Sequence, residues 1–97
     1  MTLYIRLIKF TEKGVEGLKD FSKARKEFLQ KAKELGIKVQ ATYVTLGRYD
    51  LITIIEAPDE KALLKLTASY VGPKGRTTTE TLTAVPAEEF EQIIKTL

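Results

Sequence analysis

The stretch TLGRYDLITIIEAPDE, residues 45–60, reads as a tight turn, a strand and the start of a helix. The glycine beside the turn supplies the positive φ that a hairpin connection needs. Residues 49–57 are rich in the β-branched side chains that are typical of strands, and Pro58 with Asp59 opens a helix at the positive end of its dipole. Because residues 37–46 also alternate like a strand, this region predicts an antiparallel pair followed by a helix.

Periodicity and capping residues predict the other elements. They are a strand at residues 2–10, a helical turn capped by Thr11 at 12–18, a helix from Ser22 to near Leu35 and the stop at Gly36, a break at the VGPKGR run of residues 71–76, a strand at 77–85 and a terminal helix from Pro86. The order is βαββαβ with an extra C-terminal helix. It indicates the α+β ferredoxin-like fold, in which a four-stranded antiparallel sheet carries both main helices on one face. A chain of 97 residues is expected to form a single domain over residues 1–97.

The sheet face without helices is predicted to be apolar. We expect it to hold Ile8, Phe10, Ile52 and Ile54 among Tyr4, Arg6, Asp50 and Glu56. Hiding a few hundred Å² of such surface is worth several kcal/mol at about 25 cal/mol per Å². The sequence therefore predicts a homodimer, or a higher homo-oligomer, with its sheets face to face in a dimeric α/β-barrel.

Composition narrows the classes of function. The chain has no histidine and no cysteine, which removes the commonest general base, zinc ligand and thiolate nucleophile, so neither a metal nor a cofactor is expected. No segment approaches the roughly 20 apolar residues that cross a bilayer, and Arg6 and Lys9 interrupt the apolar N-terminus, unlike a signal peptide. We therefore expect a cytoplasmic protein without a membrane partner. Abundant lysine and glutamate also fit a thermophile.

The charge is unevenly distributed. Residues 1–49 carry eleven Lys/Arg against five Asp/Glu, a net +6, whereas residues 50–97 carry five against eight, a net −3. This asymmetry suits an anionic partner or self-association. The overall +3 is weak beside most nucleic-acid binders, and Ile52 and Ile54 stand where an RNA-recognition sheet needs stacking aromatics. A nucleic-acid partner is therefore not expected.

The chain resembles the GYD domain family, through YVTLGRYDLITIIEAPDE with Gly47, Tyr49 and Asp50 at the motif positions. The flanking runs YIRLIKFTEKG and RTTTETLTAVPAEEF extend the resemblance over almost the whole chain. It implies the dimeric α/β-barrel form of the ferredoxin-like fold, in a family without a generally established activity, substrate or cofactor. A more distant resemblance is to the effector-binding module of Lrp/AsnC-type regulators, which has a similar Gly-x-Tyr-Asp hairpin. By fold, the chain is also similar to small cofactor-independent monooxygenases and isomerases.

Two interpretations of Arg48, Tyr49 and Asp50 stay open. In the first they build the hairpin: Asp50 accepts backbone N–H groups in the turn, Tyr49 covers a sheet edge, and Arg48 stays in solvent or pairs with a carboxylate. In the second, Asp50 lies beside Tyr4 and Arg6 at the mouth of a pocket between the two sheets of the dimer, where an arginine anchors a carboxylate and the aspartate accepts a proton.

Other polar residues have simpler explanations. Glu56 and Glu80 are predicted on the helix-free face, where an ion pair with Arg6 or Arg76 between subunits is favoured over acid–base chemistry. Tyr43 is predicted to pack in the core from a strand face that it shares with Val39 and Ala41. Helical spacing predicts that Phe28 and Tyr70 are packing residues as well. The candidate ligand-binding residues are thus Tyr4, Arg6, Arg48, Tyr49, Asp50 and Glu80.

The sequence leaves three hypotheses about function. The first is a homo-oligomeric module that binds or senses a small molecule. The second is a cofactor-independent enzyme of the monooxygenase or isomerase type, with Asp50 acting beside an arginine or a tyrosine. The third is a structural oligomer without a ligand.

Overall fold

The computed structural model describes residues 1–70 and 75–97. Its elements are β1 (Thr2–Phe10), α1 (Glu12–Glu16), a 3₁₀ turn (Leu18–Asp20), α2 (Phe21–Glu34), β2 (Lys38–Val44), β3 (Leu51–Ala57), α3 (Glu60–Ala68), β4 (Thr77–Ala84) and α4 (Ala87–Lys95). The predicted order, including the C-terminal helix, is confirmed. Most of the predicted break at residues 71–76 lies outside the described residues.

The strands form a four-stranded antiparallel sheet in the order β2-β3-β1-β4. The first and third strands therefore lie in the middle, as the ferredoxin-like pattern requires. Ile5 lies opposite both Ile54 on β3 and Leu82 on β4, so these three side chains share one face at the centre of the sheet.

Helices α2 and α3 cover the other face and build the core. Ala32 on α2, Leu66 on α3 and Ile55 on β3 are completely buried in one cluster. Phe28 and Tyr70 pack against this cluster, as their spacing predicted. The apolar stripes of both helices thus point at the same sheet face.

The predicted facing of β1 was wrong. Tyr4, Arg6 and Ile8 are buried beneath the helices, and Phe10 follows the same alternation. Both faces of β1 are largely apolar, so alternation shows which residues share a face but leaves open which face the helices cover. We call the uncovered side of the sheet the open face. Its apolar centre consists of Leu3, Ile5, Leu7, Ile52, Ile54 and Leu82.

A β-bulge corrects the predicted facing of β2. The register shifts between Val39 and Ala41, so Val39 lies opposite buried Ile55 whereas Ala41 lies opposite Ile54. Tyr43 consequently sits on the open face with 58% of its surface exposed, and the prediction that it packs in the core was wrong.

Capping follows the sequence at two helices and departs from it at a third. The Thr11 hydroxyl accepts from the Gly14 N–H at 3.2 Å, and the Asp59 carboxylate accepts from the Ala62 N–H at 2.8 Å. The predicted Ser22 cap is wrong because the 3₁₀ turn leads directly into α2, with Asp20 at the N-cap position.

Helix α4 is exposed throughout, as is every residue from Val85 to the end of the chain. Phe90, Ile93 and Ile94 lie on one side of it with about half of each side chain in solvent. The chain's own terminal helix therefore does not cover the open face. None of the helices in residues 1–70 and 75–97 is long and apolar enough to cross a membrane.

Candidate functional site

A cavity of about 170 Å³ lies between the sheet and α2. Its floor is the helix-covered face of β1 and β3, with Arg6, Ile8 and Thr53, and its roof is α2, with Ala24 and Phe28. We call it the Arg6 cavity. It lies within one chain, on the opposite side of the sheet from the pocket expected between the sheets of a dimer.

Arg6 is the unusual feature of this cavity. It is 3% exposed, and its Nε and Nη1 atoms find no hydrogen-bond partner among the described residues. Burial lowers the pKa of the Arg6 guanidinium, and the nearby Tyr70 phenol partly offsets this. An arginine stays charged at neutral pH, so the cavity holds a desolvated cation with unused donors.

The Phe28 ring lies against this guanidinium, and the Tyr70 ring packs on Phe28. The Arg6 Cζ atom lies 5.7 Å from the centroid of the Phe28 ring, within the range of a cation–π contact. The Tyr70 ring is also 5.7 Å from the Phe28 ring, with a tilt of 49°. Burial, and then the charge of Glu27, raise the pKa of the Tyr70 phenol. Arg6 is therefore the buried charge of the cavity, and Phe28 and Tyr70 line the cavity with it.

Further polar side chains line the rest of the cavity. Thr53 is 2% exposed and lies directly opposite Arg6 in the β1–β3 pair, while Thr79 lies opposite Ile8 in the β1–β4 pair. Arg25 and Arg76, both exposed, are lining residues too. The cavity lining thus contains two solvated cations as well as the buried one.

Gly14 fixes the edge of the cavity formed by α1. A Cβ atom at this buried position would lie 2.1 Å from the carbonyl oxygen of Arg76, so a larger residue cannot fit without moving the backbone. A backbone hydrogen bond also joins the start of α1 to Arg76, because the Thr11 N–H donates to the Arg76 carbonyl at 3.0 Å. The Thr11 hydroxyl donates to the Gly75 carbonyl at 2.6 Å.

The structure separates the candidate residues into two groups. Arg6 lines the cavity, and Tyr4 is packed in the core cluster. On the open-face side, the Tyr49 hydroxyl donates to the Glu80 carboxylate, and the Arg48 Cζ atom lies 5.8 Å from the Tyr49 ring centroid. The hydrogen bond to Glu80 raises the pKa of the Tyr49 phenol. A single site containing all these residues is therefore not formed within one chain.

Neither predicted glutamate pairs with Arg6 within the chain, because the strand positions place them on opposite faces of the sheet. Glu80 accepts from Tyr49, and Glu56 accepts from the Gln40 amide. In the described part of the chain, no three acidic side chains come close enough together to hold a metal ion.

Asp50 ties the hairpin to β1. Its Oδ2 atom accepts from the Phe10 N–H at 2.8 Å, and its own N–H donates to the Ile8 carbonyl at 2.8 Å. The Thr45 hydroxyl donates to the Tyr49 carbonyl at 2.7 Å and closes the turn around Gly47, whose φ is +113°. The Asp50 carboxylate therefore accepts from a neighbouring strand, whereas the hairpin interpretation expected a donor within the turn.

We expect Asp50→Ala to lower the melting temperature by about 5–10 °C, because it leaves a partly buried N–H unsatisfied at a cost of roughly 1–2 kcal/mol. Asp50→Asn is the matched control, since its amide oxygen still accepts from Phe10. Circular dichroism melts of both variants make the comparison. An unchanged melting temperature in Asp50→Ala would contradict the structural role.

Sequence reasoning missed Phe28, Thr53 and Tyr70 as site residues. Helical spacing marked Phe28 and Tyr70 as core, which they are, and nothing in the sequence distinguishes a core aromatic beside a cavity from one in a filled core. The available signal was an arginine within an alternating strand, whose charge requires an explanation if that face is the buried one.

Comparisons with known proteins agree with this fold. A family model described as the GYD domain matches residues 4–94. A relative from Thermus thermophilus, named glutamine synthetase and cystathionine beta-lyase binding protein, is 30% identical over 91 residues, which cover 93% of this chain and 95% of the relative.

Solved structures similar to this chain share its fold at low identity. The crystal structure of an FFRP protein superposes with a TM-score of 0.59 at 20% identity, over 88% of this chain and 100% of that one. The crystal structure of MtbAldR superposes with a TM-score of 0.57 at 15% identity, over 88% of this chain and 52% of that one. The crystal structure of TTHA0845 from Thermus thermophilus has a TM-score of 0.54 at 22% identity, over 89% of this chain and 95% of that one.

These results confirm the predicted resemblance to the GYD domain family, and the solved structures share the fold of this chain. The GYD family model covers nearly the whole chain, and the relative matches it over almost its full length. The chain therefore belongs to the GYD domain family.

Proposed function

We propose that this protein is a homo-oligomeric module that binds a small molecule in the Arg6 cavity. The observation that supports it is the buried Arg6 guanidinium, whose Nε and Nη1 lack partners among the described residues and which lines an open space. An unpaired buried cation is costly, so a chain that keeps one needs a compensating benefit. Binding a ligand supplies it.

The homo-oligomeric part of the proposal is supported by the open face. Its apolar centre is flanked by Lys9 and Lys38 and by Glu56 and Glu80, two cations and two anions. A surface with balanced charges around an apolar centre suits a two-fold contact, in which each copy presents the same patch. A second copy of the chain is therefore the occupant that fits this face.

A cavity-filling variant tests the ligand site without assuming the ligand's chemistry. Ala24 lines the cavity on α2, and Ala24→Phe should fill much of it. Ala68→Phe, at an exposed position on α3, is the matched control. We expect ligand-observed NMR screening of mixed acidic, basic and neutral small molecules to find binders that Ala24→Phe loses and Ala68→Phe retains. Binders that Ala24→Phe retains, or no binders at all, would overturn the proposal.

Binding another protein is a second candidate function. The Thermus thermophilus relative is named for binding two enzymes, and α4 of this chain exposes one apolar side bearing Phe90, Ile93 and Ile94. An exposed amphipathic helix is a common docking element. If α4 docks on an enzyme, Ile93→Glu should abolish binding to purified glutamine synthetase in interferometry. Unchanged binding would exclude this surface.

A further inference from the structure

We infer that the ligand of the Arg6 cavity is a compact monocarboxylate, with its carboxylate against the Arg6 guanidinium and an apolar body of about one six-membered ring. This inference rests on the proposed function, because it assumes that the cavity binds a small molecule. Charge, burial, lining chemistry and volume each restrict the ligand.

The charges around the cavity favour an anion. Among the described residues that line it, Arg6, Arg25 and Arg76 are cationic and Glu27 is acidic, a net +2. Only Arg6 is buried, so the two exposed arginines add to the attraction of an anion whereas Arg6 offers it desolvated donors. Charge-assisted hydrogen bonds between an arginine and an oxyanion are about twice as strong as neutral ones.

Burial of a single cation restricts the anion to one charge. A monocarboxylate neutralises the Arg6 guanidinium, whereas a phosphate dianion would bring a second negative charge into the apolar end of the cavity without a partner. The Thr53 side chain, 2% exposed, lies opposite Arg6 in the β1–β3 pair and also lines the cavity. It is placed to contribute a hydrogen bond without adding charge.

The side chains that form the cavity walls indicate the chemistry of the rest of the ligand. Ile8, Leu51, Phe21 and Phe28 present aliphatic and aromatic surface, which favours an apolar body packed against the Phe28 ring. The volume of about 170 Å³ is close to that of a 150 Å³ protein cavity that takes up benzene. A single ring with a carboxylate matches the space when the carboxylate points toward Arg6.

Benzoate and its neutral isostere benzamide test the inference on the whole protein. We expect benzoate to bind at least 30-fold more tightly than benzamide in isothermal titration calorimetry, and inorganic phosphate to compete with benzoate only weakly. Arg6→Met should remove the preference for benzoate while leaving benzamide binding unchanged or stronger. Arg25→Met should weaken benzoate less than five-fold, because the Arg25 side chain is exposed.

The outcomes separate this inference from the proposed function. If benzamide binds as well as benzoate, or phosphate binds more tightly, the monocarboxylate assignment is wrong although the cavity still binds ligands. The same conclusion follows if basic or uncharged compounds are the only binders lost in Ala24→Phe. If Ala24→Phe loses no binder of any kind, the proposed function fails as well.

Discussion

Arg6→Met should raise the melting temperature of the ligand-free protein by about 5 °C or more. Arg6 is 3% exposed, and two of its guanidinium nitrogens lack partners among the described residues, so the folded state contains a desolvated cation that solvent stabilises in the unfolded chain. Replacing buried ionic groups with apolar residues of similar volume is often neutral or stabilising by about 1–4 kcal/mol. For a domain of this size, each kcal/mol shifts the melting temperature by roughly 4–8 °C.

Arg25→Met is the matched control, because it makes the same chemical change at an exposed lining position. Its melting temperature should stay within about 3 °C of the parent protein, since solvated surface charges contribute little. Differential scanning calorimetry of both variants measures the difference. If Arg6→Met melts lower than the parent protein, the guanidinium is a structural group, and the argument from an unpaired cation is wrong.

The second large effect concerns assembly. Ile5→Lys should convert the proposed oligomer to a folded monomer, because Ile5 lies at the centre of the open face, opposite both Ile54 and Leu82. Placing a charge in the apolar centre of an interface costs roughly 3 kcal/mol or more, which weakens association at least about 100-fold. Sedimentation velocity at micromolar concentration measures the change.

Leu64→Lys provides the control for this experiment. Leu64 on α3 is 66% exposed in the single chain, so a lysine there should leave both fold and assembly unchanged. A parent protein that sediments as a stable monomer, or an Ile5→Lys variant that stays oligomeric, would contradict the assignment of the open face as the interface between copies.

Much of the fold could be predicted from the sequence because each element carries its own local signal. Thr11 and Asp59 cap helices where their positions indicated, and Gly36 adopts a positive φ of +73° just after α2. These signals are local, since each depends on backbone groups a few residues away. The order of the elements, βαββαβ, then indicated the topology.

The facing of β1 could not be predicted in the same way. The set formed by Leu3, Ile5 and Leu7 is as apolar as the set that includes Ile8. The predicted alternation was therefore correct, whereas the sheet face assigned to each set was wrong. What decides the orientation is pairing across the sheet, where Ile8 lies opposite buried Leu51. A pairing between residues more than 40 positions apart is not encoded in either strand alone.

The candidate site was only partly predictable for the same reason. Arg6 was identified as a candidate, but in the pocket between two sheets, because its face of β1 was assigned wrongly. A cavity is a packing defect between elements, and it depends on the side chains that α2 and β3 bring together, such as Phe28 and Thr53. Helical spacing predicted that Phe28 faces inward, without showing that space remains beside it.

The most direct measurement is a crystal structure of the protein grown with benzoate. We expect density for one carboxylate within about 2.7–3.1 Å of an Arg6 guanidinium nitrogen, with the ring against Phe28. An empty cavity with Arg6 paired to Glu27 or turned toward solvent would contradict the account.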